Sequence, residues 1–199
     1  MAKVVDYYIT ALSPWTYLGH DRFVALAKHH GATVNVKPVD LGKVFPVSGG
    51  LPLKQRAPQR QAYRMFELRR WSAHLGVPIN VQPKFFPVSG DLAARWILAA
   101  EQDDTGAALT LAGAFMRAVF VEERNIADAA TAVAIANEQH LDAAKLSLRA
   151  DSPEIAARYD ALSQEAIDRQ VFGAPTYVYR DEPFWGQDRL DFLDRALAK

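Results

Sequence analysis

Cysteine is missing altogether from this 199-residue chain, and that absence removes more chemistry than any other feature of its composition. Without a thiol the chain alone cannot exchange disulfides, build a zinc–thiolate centre or attack a substrate through sulfur. Nothing in it depends on an oxidising compartment. An excess of either charge is missing too. The 23 Lys and Arg residues balance 23 Asp and Glu, which takes away the electrostatic reason to expect nucleic acid or an anionic membrane as a partner. Two local exceptions, the basic runs 56–64 and 69–70, read as solvated helix surface. Long apolar runs are also lacking: no stretch reaches the ~20 residues that a bilayer span needs. The opening residues Met1–Asp6 lead directly into a strand-like segment, with no apolar run of the signal-peptide kind. The expectation is a soluble, cytoplasmic protein with no metal centre, no membrane partner and no nucleic-acid partner.

Apolar residues are plentiful, at 50% of the chain, enough for a sizeable core. Residues 3–9 are β-branched and aromatic and read as a buried strand. Ser13-Pro14 follows as an N-cap with proline at the first helical position, and that helix runs to a stop at Gly31. A second strand is expected over Thr33–Val39. Strand, helix and strand with short connections make a βαβ unit, whose strands lie parallel. Residues 42–59 are rich in Gly, Pro and Ser and read as an irregular excursion. About a hundred residues of helical pattern come next. Met65, Leu68, Trp71 and Leu75 recur at helical spacing, as do Ala112, Phe115, Met116, Val119 and Phe120, and both sets read as core stripes. Alanine-rich helices at 91–102 and 128–139 are expected to be capped by Asp91 and Asp128. A helix opened by Ser152-Pro153 carries Ile155, Tyr159, Leu162 and Ala166 on one face and is read as ending at Phe172-Gly173. Strand chemistry then returns at Thr176–Tyr179, followed by a turn over 180–183, a short strand at Phe184-Trp185, and a last helix over about 187–198.

This order predicts an α/β fold: a thioredoxin-like mixed sheet with an inserted all-helical domain. Residues 1–45 and 171–199 would form the thioredoxin-like domain, joined by a helix over 153–170. Residues 46–152 would form the helical insertion.

Three short segments could carry chemistry. Ser13-Pro14-Trp15-Thr16 opens a helix, where free N–H groups and the dipole favour an anion such as a thiolate; on local sequence alone the plainer reading is that Ser13 only caps the helix. Ala174-Pro175-Thr176 puts a proline at a strand entry, where a cis bond can leave neighbouring backbone groups free for a peptide-like ligand, or where there is only an ordinary loop. Gly186-Gln187-Asp188-Arg189 permits close approach and offers N–H groups to a carboxylate and Asp188 to an ammonium group. Alone it is also just a helix start.

Taken together, in this order and spacing, those segments resemble the 2-hydroxychromene-2-carboxylate isomerase family, relatives of kappa-class glutathione transferases and bacterial disulfide oxidoreductases. The likeness rests on Asp6-Tyr7-Tyr8, Leu12–Leu18, Tyr63 with Leu68-Arg69-Arg70-Trp71, Val171–Thr176 and Phe184–Leu190, and it spans the whole chain. It implies glutathione as a catalytic cofactor, a small aromatic substrate, and a homodimer. It further implies that Ser13 stands where the disulfide-forming relatives carry their first cysteine and hydrogen-bonds the glutathione sulfur. Ala174, before a cis-Pro175, would pair with the cysteinyl backbone. Gly186, Gln187, Asp188 and Arg189 would hold the γ-glutamyl end, and Arg60, or else Lys54, would meet a glutathione carboxylate. Gly49-Gly50 replaces an asparagine frequent in the family's preceding loop, so nothing carries over there. The implied reaction is the glutathione-dependent conversion of 2-hydroxychromene-2-carboxylate to trans-o-hydroxybenzylidenepyruvate in aromatic catabolism. A kappa-type transferase or peroxidase and a non-catalytic thioredoxin-fold binding module are the competing readings. Candidates for an aromatic pocket are Tyr8, Trp15, Tyr17, Phe45 and Phe85-Phe86, which serve equally well as core.

Overall fold

The computed structural model describes residues 2–199. Four strands form one mixed sheet in the order β2-β1-β3-β4. Strand β1 (Val4–Ile9) pairs in parallel with β2 (Thr33–Pro38), and antiparallel with β3 (Thr176–Tyr179) from the far end of the chain. Strand β4 (Glu182–Trp185) closes the open edge by a hairpin. The two hairpin residues, Arg180 and Asp181, have φ of 51° and 62°, the mirror-image turn whose twist matches the strands. The strand therefore begins at Glu182, and Pro183 sits within it, where only an edge strand tolerates a missing N–H.

Alternation along the strands divides the core in two. Val5, Tyr7 and Ile9 of β1 face the larger cluster, with Val34 and Val36 of β2 and Tyr177 and Tyr179 of β3. Against that face lie helix α1 (Pro14–His29), α4 (Asp91–Glu101), α5 (Thr105–Phe120) and the last helix, α9 (Leu190–Leu197). Tyr7 and Tyr177, opposite one another in register, stack with centroids 5.2 Å apart, and Phe23 of α1 packs on both. Tyr8, Val178 and Val39 face the other way, onto helix α2 (Leu41–Ser48) and α8 (Pro153–Asp168). The stripe on α5 is core as expected: Ala112, Phe115, Met116, Val119 and Phe120 are all buried. So are Ile155, Tyr159, Leu162 and Ala166 on α8.

Four expectations need correcting. The segment after β2 is not wholly irregular. Asp40 caps α2 by accepting from Gly42 N–H at 2.7 Å, Val44 anchors it in the second core, and Gly49 in the left-handed conformation ends it. Helix α3 (Pro58–Leu75) does not bury its stripe, because Leu68 alone is enclosed while Met65, Trp71 and Leu75 are only half covered. Gly90, not Asp91, is the capping position of α4, and Asp91 is its first helical residue. Helix α8 ends at Asp168, short of Phe172, because Gln170 turns left-handed and Val171 N–H returns to Ala166 carbonyl at 2.8 Å. The helices α6 (Ala129–Glu138) and α7 (Ala143–Ala150) complete the helical block; Asp128 caps α6 as expected, accepting from Thr131 N–H. Among the described residues no helix is long and apolar enough to cross a membrane.

Polar groups on the second face are paired rather than excluded. Lys37 of β2 reaches Asp6 of β1 at 3.1 Å and Glu165 of α8 at 2.6 Å, and Arg169 joins Asp6 from the other side. Burial raises the Asp6 carboxyl, but hydrogen bonds from Asn35, Arg169 and Lys37 outweigh it and hold the group below its ordinary value. A carboxylate whose folded pKa is depressed stabilises the fold above its unfolded value of about 3.9, and that contribution disappears as pH falls through the folded pKa. Urea midpoints measured between pH 3 and pH 7 are accordingly expected to fall more steeply below about pH 4 in the wild type than in Asp6→Asn.

Candidate active site

The first turn of α1 and the entry to β3 meet at Ser13. Its backbone is extended and its Oγ accepts from Thr16 N–H at 3.1 Å, so it caps the helix as the sequence indicated. The same hydroxyl donates to the carbonyl of Ala174 at 2.9 Å, across 161 residues of chain. Ser13 and Ala174 are each about 7% exposed, at the edge of solvent rather than deep within the core. The Ala174–Pro175 bond is cis, and Pro175 carbonyl accepts from Gly186 N–H at 2.9 Å. Ser13, Ala174, Pro175 and Gly186 therefore form one continuous hydrogen-bonded patch.

Gly186 has φ of 104°, a backbone conformation that favours glycine. The segment next drops against α1 at Gly19, where a Cβ would come within 2.7 Å of Gln187 Cβ. This close approach buries Gln187, whose Oε1 accepts from Arg22 of α1 at 2.9 Å. The Gln187 side chain thus holds the segment to α1. Asp188 and Arg189 are exposed and pair with each other at 2.7 Å. Lys54, on a 3-10 turn over 53–55, and Arg60, on α3, are also exposed, and among the described residues neither side chain forms a hydrogen bond or ion pair. No direct contact links them to Ser13.

The aromatic candidates divide. Tyr8 is fully buried and donates to Glu165, so it belongs to the core and not to a pocket. Trp15, Tyr17, Phe45, Phe85 and Phe86 are half-buried. A wall that the sequence reading missed stands beside Ala174: Phe172 and Trp185 meet edge-to-face at 4.7 Å, both largely exposed, with the indole lying against Gly173. Its signal was present in the sequence as two large aromatics flanking the proline loop and the hairpin. A cavity of about 500 Å³ lies one turn further along α1, between Tyr17, His20 and Asp21 and the α5 residues Leu109, Thr110 and Gly113. Ser13 does not line it. His20 at its wall is already satisfied, between Tyr7 hydroxyl at 3.1 Å and Leu109 carbonyl at 3.0 Å, and burial lowers its pKa. That favours the neutral ring, a structural histidine rather than an acid or base.

A hydroxyl at a helix N-terminus, set against a cis-proline loop, is an arrangement that can favour an anion. The model of the DSBA-like thioredoxin domain matches residues 4–198. A 2-hydroxychromene-2-carboxylate isomerase of Sphingobium xenophagum is 30% identical over 99% of both chains. The chain belongs to the 2-hydroxychromene-2-carboxylate isomerase family of DSBA-like thioredoxin domains. An isomerase of the same name from Pseudomonas putida is 29% identical, over 98% of this chain and 95% of its own. A solved 2-hydroxychromene-2-carboxylate isomerase superposes with a TM-score of 0.82 at 27% identity, covering 98% of this chain and 94% of that one. In this DSBA-like domain the strand–helix junction and the proline loop lie in a chain without cysteine.

Ser13 ties together segments that fold from opposite ends of the chain, so its removal has a structural cost apart from any chemistry. Ser13→Ala removes the cap and the bond to Ala174, and its urea-denaturation stability is expected to fall by about 1–2 kcal/mol with the fold intact.

Proposed function

We propose that the chain isomerises 2-hydroxychromene-2-carboxylate, or a close analogue, to trans-o-hydroxybenzylidenepyruvate, with glutathione as a catalyst that is regenerated. The observation that carries this reading is Ser13 Oγ at the mouth of α1, 2.9 Å from the Ala174 carbonyl, in a chain with no thiol of its own. What supports the tripeptide is a hydroxyl for sulfur, the Ala174 backbone carbonyl beside it, and a glycine turn at Gly186 leading into N–H groups. Glutathione, when bound, supplies the thiolate whose reversible addition to the conjugated system frees a double bond to rotate.

The protein's task is to make that thiolate available. A free thiol has a pKa of about 8.5, so little of it is ionised at pH 7. The positive end of α1 and a hydroxyl that donates to sulfur both favour the ionised form. Ser13's proton points to Ala174 in the ligand-free arrangement, and rotation about Cβ–Oγ turns it to the sulfur. The same rotation releases Ala174 carbonyl to accept a peptide N–H. Phe172 and Trp185 supply an apolar flank beside that backbone. On this reading Asp188 exchanges Arg189 for an ammonium group, and Arg60 or Lys54, both free of carboxylate partners, takes a glutathione carboxylate. Gln187 acts by fixing the segment to α1. The protein would work in the cytoplasm, as a homodimer.

With glutathione saturating, Ser13→Ala is expected to lower glutathione-dependent turnover of the chromene acid at least tenfold. Loss of one charge-assisted hydrogen bond is worth roughly 1.5–3 kcal/mol, and about 1.4 kcal/mol is a factor of ten in rate. Unchanged turnover removes Ser13 from the reaction. Calorimetry with glutathione that gives no binding heat would instead favour a thiol-free binding module, and faster conjugation of a chloronitrobenzene would favour a transferase.

A further inference from the structure

From Leu41 to Phe66 the sequence contains no acidic residue, although the whole chain is charge-balanced. Lys43 in this stretch is neutralised by Asp160 at 2.7 Å, whereas Arg56, Arg60 and Arg64 meet no carboxylate among the described residues. The three are spaced four apart, at the entry to α3 and along its first two turns, where like charges at i and i+4 repel. Arg56 and Arg64 are not solvated surface. Each is half-buried with its guanidinium over an aromatic face, Arg56 5.9 Å from the Phe45 ring centre and Arg64 5.8 Å from that of Phe86. Arg56 Nε donates to Leu51 carbonyl at 2.8 Å, which fixes it. Arg64 has only a weak contact, Nη1 to Met65 Sδ at 4.0 Å. Burial and the neighbouring Arg56 both disfavour its charge. A half-buried guanidinium whose fork meets no oxygen among the described residues is open to an anion.

Its position connects it to the strand–helix junction. Phe86 packs at 5.7 Å on Phe120, which packs at 5.6 Å on Tyr17, one helical turn after Ser13. The loop carrying Phe86 returns over Leu12, whose side chain lies 3.4 Å from where a Cβ on Gly90 would stand. We infer that Arg64, flanked by Arg56 and Arg60, is the seat for the carboxylate of an aromatic acid, with Phe86 beside the acid's ring. Guanidinium forks suit carboxylates in two-point contact, and aromatic backing strengthens the cation's hold on a flat ligand. Arg64 is thereby a specificity-determining residue, distinct from the outward Arg60 and Lys54. That the acid is the chromene carboxylate rests on the isomerase reading; the anion seat itself does not.

The test is calorimetric titration of the full chain, wild type, Arg64→Gln and Arg64→Lys, with salicylate, with uncharged salicylamide, and separately with glutathione. Circular dichroism verifies that each variant is folded. The expected result is at least a tenfold loss of salicylate affinity in Arg64→Gln and a smaller loss in Arg64→Lys. Glutathione affinity should stay within twofold, and salicylamide should bind the wild type at least tenfold more weakly than salicylate. Salicylate binding that is absent from the wild type, or unchanged in Arg64→Gln, overturns the inference. An equal loss of glutathione affinity does so too, since Arg64 would then serve the tripeptide. If the wild type fails to turn over the chromene acid while the salicylate contrast holds, the isomerase reading falls and the anion seat stands. If the wild type isomerises and Arg64→Gln keeps its KM for the chromene acid within twofold, the seat falls alone.

Discussion

The hydrogen bond from Ser13 Oγ to the Ala174 carbonyl joins two pieces of chain that lie 161 residues apart. On one side α1 must begin at Ser13, because Pro14 cannot donate and the capping hydroxyl is needed by Thr16. On the other, β3 must enter the sheet beside β1 in the register that sets Tyr177 against Tyr7. The stack of those two rings, closed by Phe23 from α1, fixes the distance between helix and strand. Given that distance, the loop before β3 has to pass the helix mouth, and Ser13 meets Ala174 as a consequence. The site is therefore a product of the core, and the loops have little freedom to change it.

How far this could be seen beforehand depends on the physical range of each signal. The cap at Ser13, the stripes on α5 and α8 and the βαβ opening are local patterns, and the sequence carries them openly. The short helix α2 was hidden because Pro46 and Gly49-Gly50 resemble loop chemistry, and its evidence, the Asp40 cap and a buried Val44, needs α8 to be in place. Helix α3 differs in the opposite sense: its periodicity is correct, but Met65, Trp71 and Leu75 are only half covered. The anchoring of Gln187 is invisible in the sequence for the same reason, because its adjacency to Gly186 is local while the arrival of Arg22 from α1 is not.

Charge is handled in two contrasting ways on the two sides of the molecule. Around β1 and β2 every buried charge has a partner: Asp6, Lys37, Glu165 and Arg169 satisfy one another, as ions removed from water must. Along the start of α3 the rule is broken, with Arg64 half-buried and its fork unused. A fold able to pair its ions so fully on one face has no physical need to leave a desolvated cation on another. The exception is instructive because like charges four residues apart cost stability that a single carboxylate would restore.

The same reasoning connects the missing cysteine with the unpaired arginines. A thioredoxin-like site that has kept its helix mouth and its cis-proline loop but lost its sulfur can stabilise a thiolate only if one is brought to it. A thiolate and an anionic acid repel, so they share a cleft only where positive charge separates and screens them. The mouth of α1 offers a partial positive charge for sulfur, and the start of α3 offers whole charges with no acid near them. Two positive features on two elements, each incomplete in the free chain, suit a reaction between two anions better than either suits the folding of the protein by itself.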